Sequence, residues 1–249
     1  MRRIALTIAY DGTAYSGWQA QNNAVTVEGT LRRALARLCG GEVVTIGASR
    51  TDAGVHALGN VAVFDTELPI PAERVATAVN SFLPEDIRVV RSWEVPSGFH
   101  PRFGAHSKRY EYRITTEPVV SPLRCRFVYG VHGELDLAAM QRGAAQFTGT
   151  HDFSSFCSAG AQSESKVRTV TRCEVYRDGA EIVIGVEGDG FLYNMIRILA
   201  GTLIAMGSGS MDPESMGDII SALDRTKAGP TAPPQGLTLM QIRYKSDNI

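Results

Sequence analysis

Arg50-Thr51-Asp52-Ala53-Gly54-Val55-His56 sets a guanidinium, a hydroxyl, a carboxylate and an imidazole within seven residues. A carboxylate can serve as nucleophile or general base, a histidine can move a proton, and an arginine can pair with phosphate or stack on a base. A structural turn needs only Gly, Asn or Asp to reach its dihedrals, so this segment carries more chemistry than turning requires. It lies between two apolar, β-branched runs, residues 43–46 and 61–64, which read as adjacent strands. The segment is therefore the loop joining them, too long for a tight hairpin, and loops held by a rigid sheet often carry function. From spacing alone two readings stand: a catalytic loop, or a polar turn capped by Asp52.

The elements that must hold this loop follow from periodicity. Residues 3–10 alternate Ile4, Leu6, Ile8 and Tyr10 on one face, a half-buried strand ending at Asp11-Gly12, and 15–21 reads as an irregular loop. Val27, Leu31, Ala34, Leu35 and Leu38 make a helical stripe with Thr26 as cap and Gly40-Gly41 as stop. Residues 69–83 predict a second helix and 87–95 a further strand. The order is β-α-β-β-α-β, the ferredoxin-like arrangement. A Pro- and Gly-rich connection, residues 96–104, leads into a second run of the same kind. It has a strand over 108–115, a helix over 136–147, a hairpin of 167–176 and 181–186 about Asp178-Gly179, helices over 191–206 and 213–223, and a closing strand over 236–244. The expected architecture is α+β: two ferredoxin-like halves, residues 1–103 and 104–249, with antiparallel sheets and a central cleft.

Composition narrows the function classes. With 249 residues, 44% of them hydrophobic, the chain buries one large or two moderate cores and is neither disordered nor a coiled coil. No apolar run approaches the roughly 18 residues of a membrane span, and Met1-Arg2-Arg3 leads straight into a strand-like run without a signal region, so a cytoplasmic location is expected. Cys39, Cys125, Cys157 and Cys173 are scattered and suggest neither a disulfide framework nor a metal site. The net charge of −1 conceals a segregation. Residues 96–130 hold six basic side chains (Arg102, Lys108, Arg109, Arg113, Arg124, Arg126) against two acidic ones, a net +4, whereas the remainder holds 19 basic against 24 acidic, a net −5. Such a zone is either a polyanion site or a solvated charged face.

Six motifs in order then carry a resemblance. Tyr10-Asp11-Gly12, Gly17-Trp18-Gln19 with Gln21, the Arg50 to His56 block, Phe99-His100-Pro101-Arg102-Phe103, Lys108-Arg109-Tyr110 and Gly190-Phe191-Leu192-Tyr193-Asn194-Met195-Ile196-Arg197 resemble the motifs of the tRNA pseudouridine synthase A family. The resemblance implies the pseudouridine synthase fold and the conversion of uridine to pseudouridine at positions 38, 39 and 40 of the tRNA anticodon stem-loop. It also implies a homodimer that uses no cofactor and no metal. Ser49 stands where many members have glycine, and Ile198-Leu199-Ala200 replaces the more usual Asn-Ile-Val; both bear on fine positioning, not on the reaction.

The chemistry fits these residue types. The reaction breaks the N1–C1′ bond, turns the uracil and joins C5 to C1′, with no redox change, so a nucleophile suffices. Asp52 resembles the family nucleophile; it could add to C1′, add to C6 of the base, or assist a glycal-type elimination. Arg197 lies in an apolar helix, where a charge is costly unless it is paired or snorkels to solvent. The resemblance makes it the partner of Asp52, keeping a desolvated carboxylate ionised. By the same resemblance Arg50 flips the base and Tyr110 is the aromatic platform, although Tyr110 and Tyr112 also fit plain strand core. His56 fits a loop-shaping role, and Trp18 and Gln19 support the site. Expected tRNA contacts are Phe99, His100, Arg102, Phe103, Lys108, Arg109, Arg126 and the loop 162–166 with Lys166. The alternatives are a non-catalytic RNA-binding module, which the absence of an aromatic RNP1 strand disfavours, and an Asp-dependent hydrolase, which the single acid in loop 47–60 disfavours. A third keeps the reaction and changes the RNA target.

Overall fold

The structure is a computed structural model that describes residues 1–161 and 163–245. It divides into two compact units, Met1–His106 with the stretch from Leu239 onward, and Ser107–Thr238.

The first unit runs β1 (Arg2–Tyr10), α1 (Val27–Cys39), β2 (Thr45–Gly47), β3 (His56–Thr66), α2 (Val75–Asn80) and β4 (Ile87–Val95), the β-α-β-β-α-β order. Its strands lie in the order β4-β1-β3 with β2 also on β3, all antiparallel. The last strand, β10 (Leu237–Tyr244), pairs with β3 as well. Thr26 caps α1 by accepting the Gly29 N–H at 3.2 Å, and Gly40 ends it in the left-handed region at φ 74°. In β1, Ala5 is as fully buried as Ile4, Leu6 and Ile8. The strand is thus covered on both faces rather than half-buried, because Ala5, Val63, Val95 and Phe99 form a second small cluster with Ile46, Trp93 and Tyr244.

The helix expected over 69–83 is shorter than its periodicity suggests. A 3₁₀ turn, Ala72–Arg74, precedes α2. The cause is Ser92, whose buried hydroxyl accepts the Ala76 N–H at 2.8 Å and donates to Ala72 O at 2.6 Å. The side chain of a neighbouring strand takes the place of the helical hydrogen bond between those two groups. At the other end the Asn80 amide bonds both the N–H and the C=O of Val89, so it serves strand β4 instead of prolonging the helix.

Arg3 and Asp65 form a two-pronged pair on this sheet at 2.8 and 2.7 Å, and the Arg3 guanidinium holds the Asp65 carboxyl below the ordinary carboxylate range. A depressed folded-state pKa contributes stability above the unfolded pKa of about 3.9, and that stability disappears as pH falls through the folded value. Urea melts of wild type and Asp65→Asn should therefore differ at pH 6 and converge towards pH 2, by a modest amount because the pair is partly exposed.

The second unit holds β5 (Ala105–Thr115) from Ser107 on, β6 (Tyr129–Gly130), α3 (Leu137–Gln146), β7 (Gly149–Asp152), β8 (Val167–Asp178), β9 (Glu181–Gly188), α4 (Met195–Gly207) and α5 (Met216–Ser221). The strands lie β5-β9-β8-β7, antiparallel, with β6 parallel beside β5; β6 and β7 are short additions that periodicity over two to four residues does not reveal. Tyr112, Ile114, Ile182, Ile184 and Val186 face the core with Leu199 and Leu203 of α4. This α4 starts four residues later than expected because Asn194 sits in the left-handed region at φ 61°. The basic zone is also less basic than its count. Arg109 and Arg113 both pair with buried Glu111, at 2.9 and 3.1 Å, and Arg113 and Arg124 pair with Glu181. Among the described residues no helix is long and apolar enough to cross a membrane.

Candidate active site

The loop between β2 and β3 is short of the expected 47–60, since β3 already begins at His56. Its shape is set by hydrogen bonds at nearly every step. Ala48 N–H donates to Val61 O at 2.7 Å, and Ser49 O accepts from Asn60 Nδ2 at 3.0 Å. Thr51 O accepts the Trp18 N–H at 3.0 Å, and Gly54 N–H donates to Tyr15 O at 3.2 Å. Thr51 Oγ1 lies 2.8 Å from the buried Tyr10 hydroxyl. His56 is buried, accepts the Gly12 N–H on Nδ1 at 3.0 Å, and has Asp11 Oδ1 3.2 Å from the same nitrogen. That is a loop-shaping arrangement. Arg50 is exposed and Asp52 is half-buried, both on a backbone fixed from either side.

The segment around Trp18 is itself anchored. Trp18 is 2% exposed, Ala20 N–H donates to Glu28 Oε2 at 2.9 Å, and Glu28 also accepts from Arg32 and Thr45. Glu28, in the first turn of α1, is thus a buried carboxylate with three partners. Tyr15 donates to Asp86 at 2.7 Å, and burial with that bond pushes its phenol up. Tyr10, a strand and motif residue in the sequence, supports the loop through its hydroxyl, and Asn60 is a supporting residue that the sequence reading does not single out. The available signal was an asparagine inside the apolar run of β3, where a buried amide must find partners.

Gly17 sits where this segment meets the loop. Its φ is +87°, and an added Cβ would lie 2.7 Å from Thr51 O and 3.2 Å from the Asp52 carbonyl carbon. Gly17→Ala should cost about 1–3 kcal/mol of stability and lower turnover. Gly40→Ala, at φ +74° with nothing within 4 Å, should cost about 1 kcal/mol and leave turnover unchanged. Denaturant melts beside initial rates check the contrast.

In the second unit Tyr110 is 7% exposed on β5, edge-on to Phe191 at 5.4 Å. Arg197, on the first turn of α4, donates from Nε to Ala232 O at 2.8 Å and from Nη1 to Asn194 Oδ1 at 2.8 Å, while Ala232 N–H donates back to Arg197 O at 3.0 Å. The guanidinium is thus held on two sides. Tyr112 is fully buried, donates to Pro233 O at 2.8 Å, and its phenol is pushed well above its ordinary value by burial.

The expected RNA contacts divide. Phe103 is 80% exposed, its ring tilted against that of His100 at 4.4 Å between centroids, and His100 Nδ1 accepts the Arg102 and Phe103 N–H groups. Arg102 and Arg126 are exposed, and Lys108 is half-buried. Phe99 is different: it is 7% exposed and packs on Tyr244 at 5.2 Å, a core ring because Val63 and Val95 need covering. Arg109 is half-buried against Glu111. Lys166 is half-buried with Nζ 3.6 Å from Cys157 Sγ. Gln162, in the same expected loop, lies outside the described residues.

The family described as tRNA pseudouridine synthase matches residues 6–104 and 144–245. The chain belongs to that family. Named relatives agree: the tRNA pseudouridine synthase A of Ruminiclostridium cellulolyticum is 49% identical over 98% of this chain and 100% of its own length. Those of Halalkalibacterium halodurans and Acetivibrio thermocellus are each 46% identical, over 95% and 98% of this chain and 90% and 100% of theirs. As a tRNA pseudouridine synthase the chain is an isomerase of α+β, pseudouridine synthase fold, acting on uridine in tRNA. Within this family the reaction redistributes bonds inside one nucleotide with no net change of oxidation state. Among the described residues no group of three or more His, Cys, Asp or Glu could hold a metal ion.

Proposed function

We propose that this pseudouridine synthase modifies uridines 38, 39 and 40 of the tRNA anticodon stem-loop with Asp52 as nucleophile, acting as a cytoplasmic homodimer without cofactor. Arg50 takes the place of the flipped base, its planar guanidinium stacking where the uracil stood. Tyr110 is the platform for the extruded uracil and assists loss of the C5 proton. Arg197 supplies the positive charge that keeps a desolvated Asp52 ionised. Phe103, His100, Arg102, Lys108 and Arg126 meet the RNA around the site, and these contacts make binding salt-dependent without selecting sequence.

One observation carries most of this reading. The Arg50 to His56 block, which resembles the family's catalytic motif, stands on a backbone clamped by Trp18, Tyr15, Tyr10 and Asn60. A loop held this firmly, with an exposed arginine two residues before a half-buried aspartate, supports chemistry on a ligand over a plain turn. The test is to map pseudouridine in tRNA from cells lacking this protein. Loss confined to positions 38–40 supports the proposal; loss elsewhere, or none, overturns the target.

A further inference from the structure

Asn194 is one of two non-glycine residues with positive φ among those described, at 61°, and it sits at the N-cap of α4 without capping it. Asparagine tolerates this region better than most residues, yet glycine would suit it with no side chain to place. The reason for asparagine lies in what its amide reaches. Oδ1 accepts from Arg197 Nη1 at 2.8 Å, and Nδ2 donates to Ser158 Oγ at 2.9 Å. The Ser158 N–H in turn donates to Tyr193 O at 3.2 Å, so the residue before Asn194 is tied to the same serine. Meanwhile the Nε side of Arg197 is fixed by Ala232 O, and the Ala232 N–H returns a bond to the arginine's own carbonyl.

A flexible side chain with several rotatable bonds is thereby held at two different nitrogens. An arginine free to sample its rotamers would spend little time at one orientation; two anchors remove that freedom in advance. From its left-handed backbone the Asn194 amide bonds a residue three places on with its oxygen and Ser158 with its nitrogen. We infer that Asn194 is a positioning residue for the reaction: it aims the Arg197 guanidinium and couples it to the chain segment that begins at Ser158. This rests on the reading of Arg197 given under Proposed function, and Asn194 itself is assigned no contact with the substrate.

Two substitutions separate the amide from the backbone. Asn194→Gly keeps the left-handed conformation and removes both hydrogen bonds. Asn194→Asp keeps an acceptor for Arg197 and lets the Ser158 hydroxyl donate to the second oxygen. Single-turnover rates on a tRNA transcript and the tRNA concentration giving half-maximal rate are the readouts. Asn194→Gly should slow the chemical step by about ten- to a hundredfold with the half-maximal concentration changed by less than about twofold. Asn194→Asp should recover to within about threefold of wild type. In an Arg197→Lys background, which lacks the Nη1 donor, Asn194→Gly should have almost no further effect.

An unchanged single-turnover rate in Asn194→Gly would overturn the inference whatever the variant's melting temperature, since that is the signature of a purely structural residue. An equal slowing in the Arg197→Lys background would also overturn it, because Asn194 would then act by another route. Wild-type turnover in Arg197→Ala would instead remove the reading of Arg197 on which the inference stands, so the two failures are told apart.

Discussion

Asp52→Asn is expected to lower tritium release from tRNA carrying 5-tritiated uridine by on the order of 10⁴-fold or more, the scale of loss when a nucleophile is removed from an otherwise intact site. Binding of the tRNA should stay within about twofold of wild type, because phosphate contacts supply most of the affinity and none depends on this carboxylate. The substitution is isosteric, and the loop's shape is held by backbone and side-chain bonds from Trp18, Tyr15, Tyr10 and Asn60. A melting temperature near wild type would accompany the loss. Normal turnover in this variant would sink the mechanism, whereas lost turnover together with lost folding would say only that the loop needs its aspartate.

Arg50→Ala is the second large effect expected. Extruding a uridine from a stacked stem-loop costs a few kcal/mol, and a guanidinium left in the vacancy offsets part of it. Removing that side chain should cost about a hundredfold in single-turnover rate, with affinity reduced far less. Its neighbours argue for a placed rather than an incidental arginine, since Ser49 O is held by Asn60 and Thr51 Oγ1 by Tyr10. An ordinary surface cation behaves otherwise: its loss weakens binding and flattens the salt dependence by about one ion, with the chemical step untouched. That pattern for Arg50→Ala would remove the flipping role.

Strong periodicity and explicit end signals made the first unit's order readable from sequence. The Leu31 to Leu35 stripe, its Thr26 cap and its Gly40 stop are local properties, and α1 follows them. What local patterns do not carry is a distant side chain entering a ladder. Ser92 divides the expected second helix, a contact across 16 to 20 residues that no window of helical periodicity contains. The late start of α4 has the same origin, because Asn194 adopts a left-handed backbone that serves Arg197 and Ser158. Phe99 was misleading for a related reason. It belongs to a motif and lies in a Pro- and Gly-rich segment, yet burial is decided by Val63, Val95 and Tyr244, which come from elsewhere in the chain. The basic zone was countable, but Glu111, two residues from Arg109 and Arg113 on β5, and Glu181, on the neighbouring strand, absorb three of its arginines. At the candidate site the motif block pointed to Asp52 and Arg50. The supporting hydrogen bonds of Tyr10, Asn60 and Glu28 are not legible there, because a buried polar group's partners come from elsewhere in the chain.

The most direct measurement takes tRNA transcripts with uridine at positions 38, 39 and 40, incubates them with purified wild-type protein or Asp52→Asn and no added cofactor, and maps pseudouridine at nucleotide resolution. The account predicts pseudouridine at those three positions with wild type and none with Asp52→Asn. Pseudouridine formed by Asp52→Asn at the wild-type rate, or formed by wild type only outside the anticodon stem-loop, would contradict it.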